Sequence, residues 1–181
     1  MRARLLLAAL ALSLGMPATA ALAPGAQAPD FTANGAMAGK PFSVHLRDAL
    51  KKGPVVLYFF PAAFTQGCNI EAAAFAAALP DFQKAGATVI GMTAGNVDQL
   101  QRFSSEHCAG KFAVAAASPD VIKGYDVLLK KPDGTATNIT SRTSFVIAPN
   151  GRVLFAHTDM SPGDHIRMTL DAVRKYRARK G

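Results

Sequence analysis

The chain has 181 residues, of which 20 are Lys or Arg and 12 are Asp or Glu, giving a formal net charge of +8 at pH 7. Half of the residues are hydrophobic and 18% are charged, a composition that excludes an intrinsically disordered protein. The length fits one domain and excludes a large multidomain enzyme. The two cysteines are too few for a disulfide-dense scaffold or a four-thiolate zinc site, but they suffice for one bridge or one redox pair.

The first residues have the features of a secretory signal peptide. Arg2 and Arg4 precede the apolar run LLLAALALSLG, which is followed by the small-residue stretch ATAALA. A membrane-spanning helix needs about 20 apolar residues, so the short run favours a cleaved signal over the alternative of an uncleaved anchor. We predict a signal peptide at residues 1–20, with cleavage as late as residue 23, and export to the periplasm of a Gram-negative bacterium. Export places both cysteines in an oxidising compartment.

The positive charge does not indicate a nucleic-acid partner. Two of the basic residues belong to the predicted signal, and several others lie in RKYRARKG at the end of the chain. There they complement the macrodipole of a terminal helix and favour solubility. We expect neither nucleic-acid binding nor stable membrane insertion of the mature chain.

The mature chain is predicted to form one domain over residues 24–181, in which strands and helices alternate. Its beginning, residues 24–40, is expected to be loosely ordered, with one short strand at Phe31, and residues 130–142 are expected to form an exposed loop. The other predicted elements, in chain order, are a buried strand at 55–60 (VVLYFF), a helix at 68–85, a strand at 87–94, a helix at 97–107 capped by Asn96, a strand at 112–117, a short helix capped by Ser118, a β-hairpin around Asn150-Gly151 and a helix at 162–179. This order predicts an α/β fold, a mixed central β-sheet flanked by helices on both faces.

Cys68 lies where a thiol can react. It follows a strand that ends at Pro61 and begins a predicted helix, whose free N–H groups and positive macrodipole end favour a thiolate. Thr65 can direct its hydroxyl toward the sulfur, and Pro61 is placed to limit access of solvent. Gly67 allows the backbone to approach the reacting group closely. These residues predict a nucleophilic or redox site.

Four segments carry a resemblance to a known family. PAAFTQGC at residues 61–68 fits P-x-x-x-T-x-x-C, and it is accompanied in order by APDF, VVLYFFP and RTSFVIAPNGRV. Together they resemble the peroxiredoxins of the AhpC/TSA superfamily, most closely the Q-type or bacterioferritin comigratory subfamily, over roughly residues 25–178. The resemblance implies a thioredoxin-like fold and a thiol-dependent peroxidase for hydrogen peroxide or small alkyl hydroperoxides. It also implies no cofactor and no metal, a thioredoxin-like or small-thiol reductant, and a monomer or weak dimer.

The resemblance also implies roles for individual residues. Cys68 is similar to the peroxidatic cysteine, which becomes a sulfenic acid. Arg142 resembles the arginine that holds the thiolate and the peroxide, while Thr65 and Pro61 resemble the residues that orient and shield them. Glu71 resembles an acid that holds this arginine in place; the alternative is a solvated glutamate in the first helical turn.

Cys108 is the candidate resolving cysteine. Members of the Q-type subfamily often carry that cysteine five residues after the peroxidatic one, but Ala73 occupies this position. The resemblance then implies that the sulfenic acid of Cys68 condenses with Cys108 to an intramolecular disulfide after both helix ends loosen. A permanent structural Cys68–Cys108 disulfide and a buried, inert Cys108 are the alternatives.

Two further function classes can be compared with this one. A disulfide oxidoreductase of the same fold needs a C-x-x-C pair, and no second thiol follows Cys68 at that spacing. An exported thioredoxin-like redox sensor or binding module, without rapid peroxidase turnover, is the remaining alternative.

Overall fold

The computed structural model describes residues 21–180, so the predicted signal peptide at residues 1–20 lies outside the described residues. The strands are β1 (Thr32–Met37), β2 (Lys40–His45), β3 (Val55–Phe59), β4 (Thr88–Thr93), β5 (Ala113–Ala116), β6 (Leu128–Lys130), β7 (Ala136–Thr140), β8 (Thr143–Ile147) and β9 (Val153–Thr158). The helices are α1 (Leu46–Leu50), α2 (Gln66–Lys84), α3 (Leu100–Glu106), α4 (Pro119–Tyr125) and α5 (His165–Ala178), and a 3-10 turn (Val97–Gln99) precedes α3. No helix within residues 21–180 is long and apolar enough to cross a membrane.

A seven-stranded mixed sheet forms the centre of the protein, with the strand order β2-β1-β5-β4-β3-β8-β9. Strands β3, β4 and β5 are parallel, and the other pairs are antiparallel. Val56 and Tyr58 of β3 pack in the layer that contains α2, α3 and α5, whereas Leu57 and Phe59 pack in the layer with α1 and α4. Successive side chains of β3 point to opposite faces of the sheet, and both faces are buried. The whole strand is therefore apolar. The predicted mixed sheet flanked by helices on both faces is confirmed.

Two segments are more regular than the sequence predicts. The chain beginning forms the hairpin β1–β2, joined by Ala38 and Gly39, whose φ angles of 52° and 74° are both left-handed. Two such residues make the two-residue turn that suits the twist of a hairpin. Residues 130–142 were predicted to be an exposed loop, but β6 and β7 pair as a separate ribbon and Thr140 and Arg142 are buried.

Helix α2 contains a proline that another part of the chain compensates. Pro80 has no N–H to donate to the carbonyl of Ala76, one turn earlier in the helix. The Nζ atom of Lys111 donates to this oxygen at 3.0 Å. Lys111 lies between α3 and β5, so this hydrogen bond ties the segment after Cys108 to the middle of α2.

This contact predicts a coupling between Lys111 and Pro80. Lys111→Met should lower the free energy of unfolding by about 1 kcal/mol, because the Ala76 carbonyl loses its charged donor at a partly exposed site. In a Pro80→Ala background the same change should have a much smaller effect, because an N–H at position 80 can serve that carbonyl. Urea unfolding of the four proteins measures the cycle. Lys131→Met, at an exposed loop lysine, is the control, and an equal effect of Lys111→Met in both backgrounds would contradict the prediction.

Candidate active site

Strand β3 and helix α2 place Cys68 beyond the carboxyl-terminal end of an interior strand of the sheet. The chain leaves β3 after Phe59 and begins α2 at Gln66, so Cys68 lies in the first turn of the helix, as predicted. Its side chain is only 1% exposed. Pro61 is buried in the connecting loop, and its carbonyl accepts a hydrogen bond from the Thr93 hydroxyl at 3.0 Å. The end of β4 therefore anchors the loop that joins β3 to α2.

Sheet pairing brings Arg142 to the same place. Strand β8 runs antiparallel to β3 with Thr143 opposite Phe59, so Arg142, just before β8, lies beside the end of β3. The guanidinium is 3% exposed, and its Nη2 atom donates to Cys68 Sγ at 3.6 Å. Its Nη1 atom donates to Glu71 Oε2, which is completely buried. The alternative of a solvated Glu71 is therefore wrong.

The guanidinium has little freedom to move. Its Nε atom donates to the Met160 carbonyl at 3.0 Å, which adds a third anchor to those of Glu71 and Cys68. On the remaining side lies Gly67, where an added Cβ atom would come within 3.0 Å of Arg142 Nη2. The glycine predicted to permit close approach thus makes room for the guanidinium itself.

The hydroxyl of Thr65 makes no hydrogen bond to the sulfur in this structure. It donates to the carbonyl of Ala62 at 3.1 Å, so the role of Thr65 in orienting the peroxide stays a prediction.

The predicted cap at Asn96 is wrong, because Asn96 is left-handed (φ 53°) and its side chain makes no cap hydrogen bond. Its amide instead donates to the carbonyl of Ala63 at 2.8 Å, which ties the loop before Cys68 to the end of β4.

An aromatic cluster connects the two cysteine-bearing segments. Phe64, held at a left-handed φ of 63°, lies 5.6 Å from the ring of Phe103 and 5.3 Å from that of His107. Cys108 follows His107, is fully buried, and its N–H donates to the Phe103 carbonyl at 3.2 Å. Burial raises the pKa of the Cys108 thiol. Both cysteines are free thiols in this structure.

Two buried ionisable groups behind Arg142 have shifted pKa values. Burial raises the pKa of Glu71 to about 7, although the nearby Arg142 acts in the opposite direction. Burial lowers the pKa of His165 to about 4, with smaller contributions from His157 and Arg142 in the same direction and from the Asp159 carbonyl in the opposite one. His165 is not among the residues predicted for the site, since nothing in its spacing to other residues places it behind the active site. Among residues 21–180, no cluster of three His, Cys, Asp or Glu side chains could hold a metal ion.

Sequence comparisons place this geometry in a family. The AhpC/TSA family matches residues 24–156. Peroxiredoxin Bcp from Xanthomonas campestris is 28% identical over 123 residues, which are 67% of this chain and 77% of the relative. The chloroplastic peroxiredoxin Q from Arabidopsis thaliana is 34% identical over 147 residues, which are 81% of this chain and 64% of the relative.

Solved structures agree with the sequence matches. The crystal structure of peroxidoxin BcpB from Mycobacterium tuberculosis superimposes with a TM-score of 0.72 at 27% identity, covering 84% of this chain and 96% of that one. A structure of Xanthomonas campestris peroxiredoxin Q gives a TM-score of 0.68 at 26% identity, covering 80% and 90%. The site has a cysteine at the start of a helix beside a buried arginine. From the family match and the solved structures, the chain belongs to the AhpC/TSA family and is a peroxiredoxin, a thiol-dependent peroxidase.

Proposed function

We propose that Cys68 is the peroxidatic cysteine of this thiol peroxidase and that it reduces hydrogen peroxide or small alkyl hydroperoxides. The observation that carries the proposal is the 3.6 Å contact from Arg142 Nη2 to Cys68 Sγ. The guanidinium is held there by buried Glu71 and by the Met160 carbonyl. A fixed positive charge beside a sulfur at a helix N-terminus stabilises the thiolate, which is the nucleophilic form.

In the proposed reaction the Cys68 thiolate attacks the terminal oxygen of a hydroperoxide. An S–O bond forms as the O–O bond breaks, so the sulfur is oxidised by two electrons to a sulfenic acid and the peroxide is reduced. The leaving alkoxide or hydroxide takes a proton and departs as alcohol or water. Arg142 supplies donors that are already in place where negative charge moves from sulfur to the leaving oxygen. Thr65 and Pro61 would orient and shield the peroxide.

Cys108 is proposed to resolve the sulfenic acid. Its sulfur attacks the Cys68 sulfur, an S–S bond forms, water leaves, and an external thiol then returns two electrons. Both sulfurs are buried, and a disulfide needs Cα atoms within about 7 Å, so the proposed step includes a loosening of the start of α2 and the end of α3. Because burial raises the pKa of the Cys108 thiol, Cys108 stays protonated until this opening exposes it.

Export and the electron donor also belong to the proposal. The pattern of residues 1–20 supports cleavage and export to a bacterial periplasm, where a thioredoxin-like or small-thiol reductant would serve a monomer or weak dimer. The N–H of Leu22 donates to the Tyr125 carbonyl at 3.0 Å. Cleavage after residue 20 would keep this contact in the mature domain, whereas cleavage after residue 23 would remove it.

Intact-mass spectrometry after addition of one equivalent of hydrogen peroxide tests these roles. The reduced wild-type protein should lose two hydrogens, and peptide mapping without reductant should find Cys68 linked to Cys108. Cys108→Ser should instead gain oxygen at Cys68, first one atom and then a second, because no resolving thiol is present. A stable oxygen adduct in the wild type, without the link, would contradict resolution by Cys108. Equal peroxide consumption by Cys68→Ser and wild type would contradict the role of Cys68.

The two shifted pKa values predict opposite pH dependences of stability. Between pH 4.5 and 6.5, folding takes up a proton at Glu71, whose pKa is raised to about 7, and releases one at His165, whose pKa is lowered to about 4. Glu71 alone makes stability fall as pH rises through this window, whereas His165 alone makes it rise. Relative to wild type, stability should therefore rise more steeply with pH in Glu71→Gln and less steeply in His165→Phe.

Urea unfolding at several pH values within this window measures both slopes. Glu106→Gln, which removes an exposed carboxylate from the end of α3, is the control and should keep the wild-type slope. Wild-type slopes in both Glu71→Gln and His165→Phe would show that neither group titrates as described.

A further inference from the structure

A buried imidazole lies behind the active site and is not part of the catalytic set described above. His165 is the first residue of α5, and its side chain is completely buried. Its Nδ1 atom lies 2.8 Å from the Ser144 hydroxyl, and its Nε2 atom lies 2.9 Å from the Asp159 carbonyl oxygen. Both ring nitrogens are therefore occupied by polar partners.

These partners determine the tautomer of the ring. A carbonyl oxygen only accepts hydrogen bonds, so Nε2 carries the hydrogen and donates it to Asp159. Burial lowers the pKa of His165, so the ring is neutral near pH 7 and Nδ1 carries a lone pair. The hydroxyl of Ser144 must then donate to Nδ1. With both nitrogens used in this way, the imidazole is not available as a metal ligand or as a base.

The same contacts lead to the catalytic arginine. His165 fixes the carbonyl of Asp159, and the carbonyl of the next residue, Met160, accepts the hydrogen bond from Arg142 Nε. The N–H of Asp159 donates in turn to the main-chain carbonyl of Arg142 at 3.2 Å. The short segment between β9 and α5 is thus attached to His165 on one side and to Arg142 on the other.

The imidazole also adjoins the partner of Arg142. Glu71 Oε2 accepts the hydrogen bond from the guanidinium, while Oε1 is buried without a hydrogen-bond partner among the described residues. His165 Nδ1 is 3.9 Å from Oε1. The ring thus lies beside the oxygen of Glu71 that does not bind Arg142.

We propose that His165 is a positioning residue that fixes the Arg142 guanidinium on Cys68 by holding the Asp159–Met160 segment and by packing beside Glu71. The inference rests on the proposed role of Cys68. His165 touches neither the sulfur nor the peroxide, and it acts only through Arg142. Its loss should therefore impair the step in which charge reaches the leaving oxygen more than it impairs other reactions of the same thiol.

Two rate constants of the reduced protein test the proposal, that of Cys68 with hydrogen peroxide and that with iodoacetamide. Alkylation forms no oxygen leaving group, so the ratio of the peroxide rate to the alkylation rate reports the positioning of Arg142. In His165→Phe an aromatic ring is kept and both hydrogen bonds are lost, and the ratio should fall on the order of tenfold. In His165→Gln the amide can still donate to Asp159, and the ratio should stay within about threefold of wild type.

His157 provides the matched control. Its ring centroid lies 4.7 Å from that of His165, but its Nε2 atom has no hydrogen-bond partner among the described residues. His157→Gln should leave the ratio within about twofold of wild type. An unchanged ratio in His165→Phe, or an equal fall of both rates, would overturn the proposal.

A failure of folding does not leave the proposal without a test. If circular dichroism shows that His165→Phe is unfolded, His165→Asn replaces it, because the asparagine amide is too short to reach Asp159. The ratio of the two rates should then fall in His165→Asn and be kept in His165→Gln. Equal ratios in the Asn and Gln proteins would contradict the positioning role. Peroxide consumption by Cys68→Ser at the wild-type rate would instead show that the proposed role of Cys68 is wrong.

Discussion

The structure of the active site depends on the buried contact between the Arg142 guanidinium and the Glu71 carboxyl group, which is an ion pair above the Glu71 pKa of about 7. Burying two charges is unfavourable unless their remaining polar atoms are satisfied, and removing one partner of such a pair costs about 3–5 kcal/mol. Here the guanidinium donates to Glu71, to the Met160 carbonyl and to the sulfur of Cys68, whereas Glu71 Oε1 has no hydrogen-bond partner among the described residues. The contacts that stabilise the buried guanidinium therefore also hold it against the sulfur of Cys68.

The fold makes this arrangement from elements that are distant in the chain. Helix α2 carries Cys68 and Glu71 on consecutive turns, and the antiparallel pairing of β3 and β8 brings Arg142 to them. The loop before α2 is itself fixed by Asn96 and by the packing of Phe64 against the end of α3. Because Cys108 follows that same helix, loosening the aromatic cluster would release both cysteines together. Under the proposed mechanism, the closed structure would favour attack on peroxide and the opened one would favour the Cys68–Cys108 disulfide.

The sequence predicted the parts of this architecture that local patterns determine. The apolar run of β3, the helix after it and the Asn-Gly hairpin were identified, and the family resemblance grouped Cys68, Arg142 and Glu71. The hairpin β1–β2 was missed because its Gly-rich and Ala-rich sequence lacks apolar alternation. The left-handed Asn96 and the buried His165 could not be predicted, because their conformations depend on tertiary partners. Pro80 in α2 does show in the sequence that the Ala76 carbonyl lacks a helical donor. It does not show that Lys111 supplies the hydrogen bond instead.

The most direct test of the account keeps every catalytic side chain and displaces only that of Arg142. In Gly67→Ala the added methyl group would lie 3.0 Å from Arg142 Nη2, whereas in Gly124→Ala, the matched control, it would lie 3.0 Å from a Pro29 side-chain carbon remote from the site. The second-order rate constant with hydrogen peroxide should fall on the order of tenfold in Gly67→Ala and should not change in Gly124→Ala. A folded Gly67→Ala protein that reacts at the wild-type rate would contradict the claim that the fixed guanidinium drives the reaction.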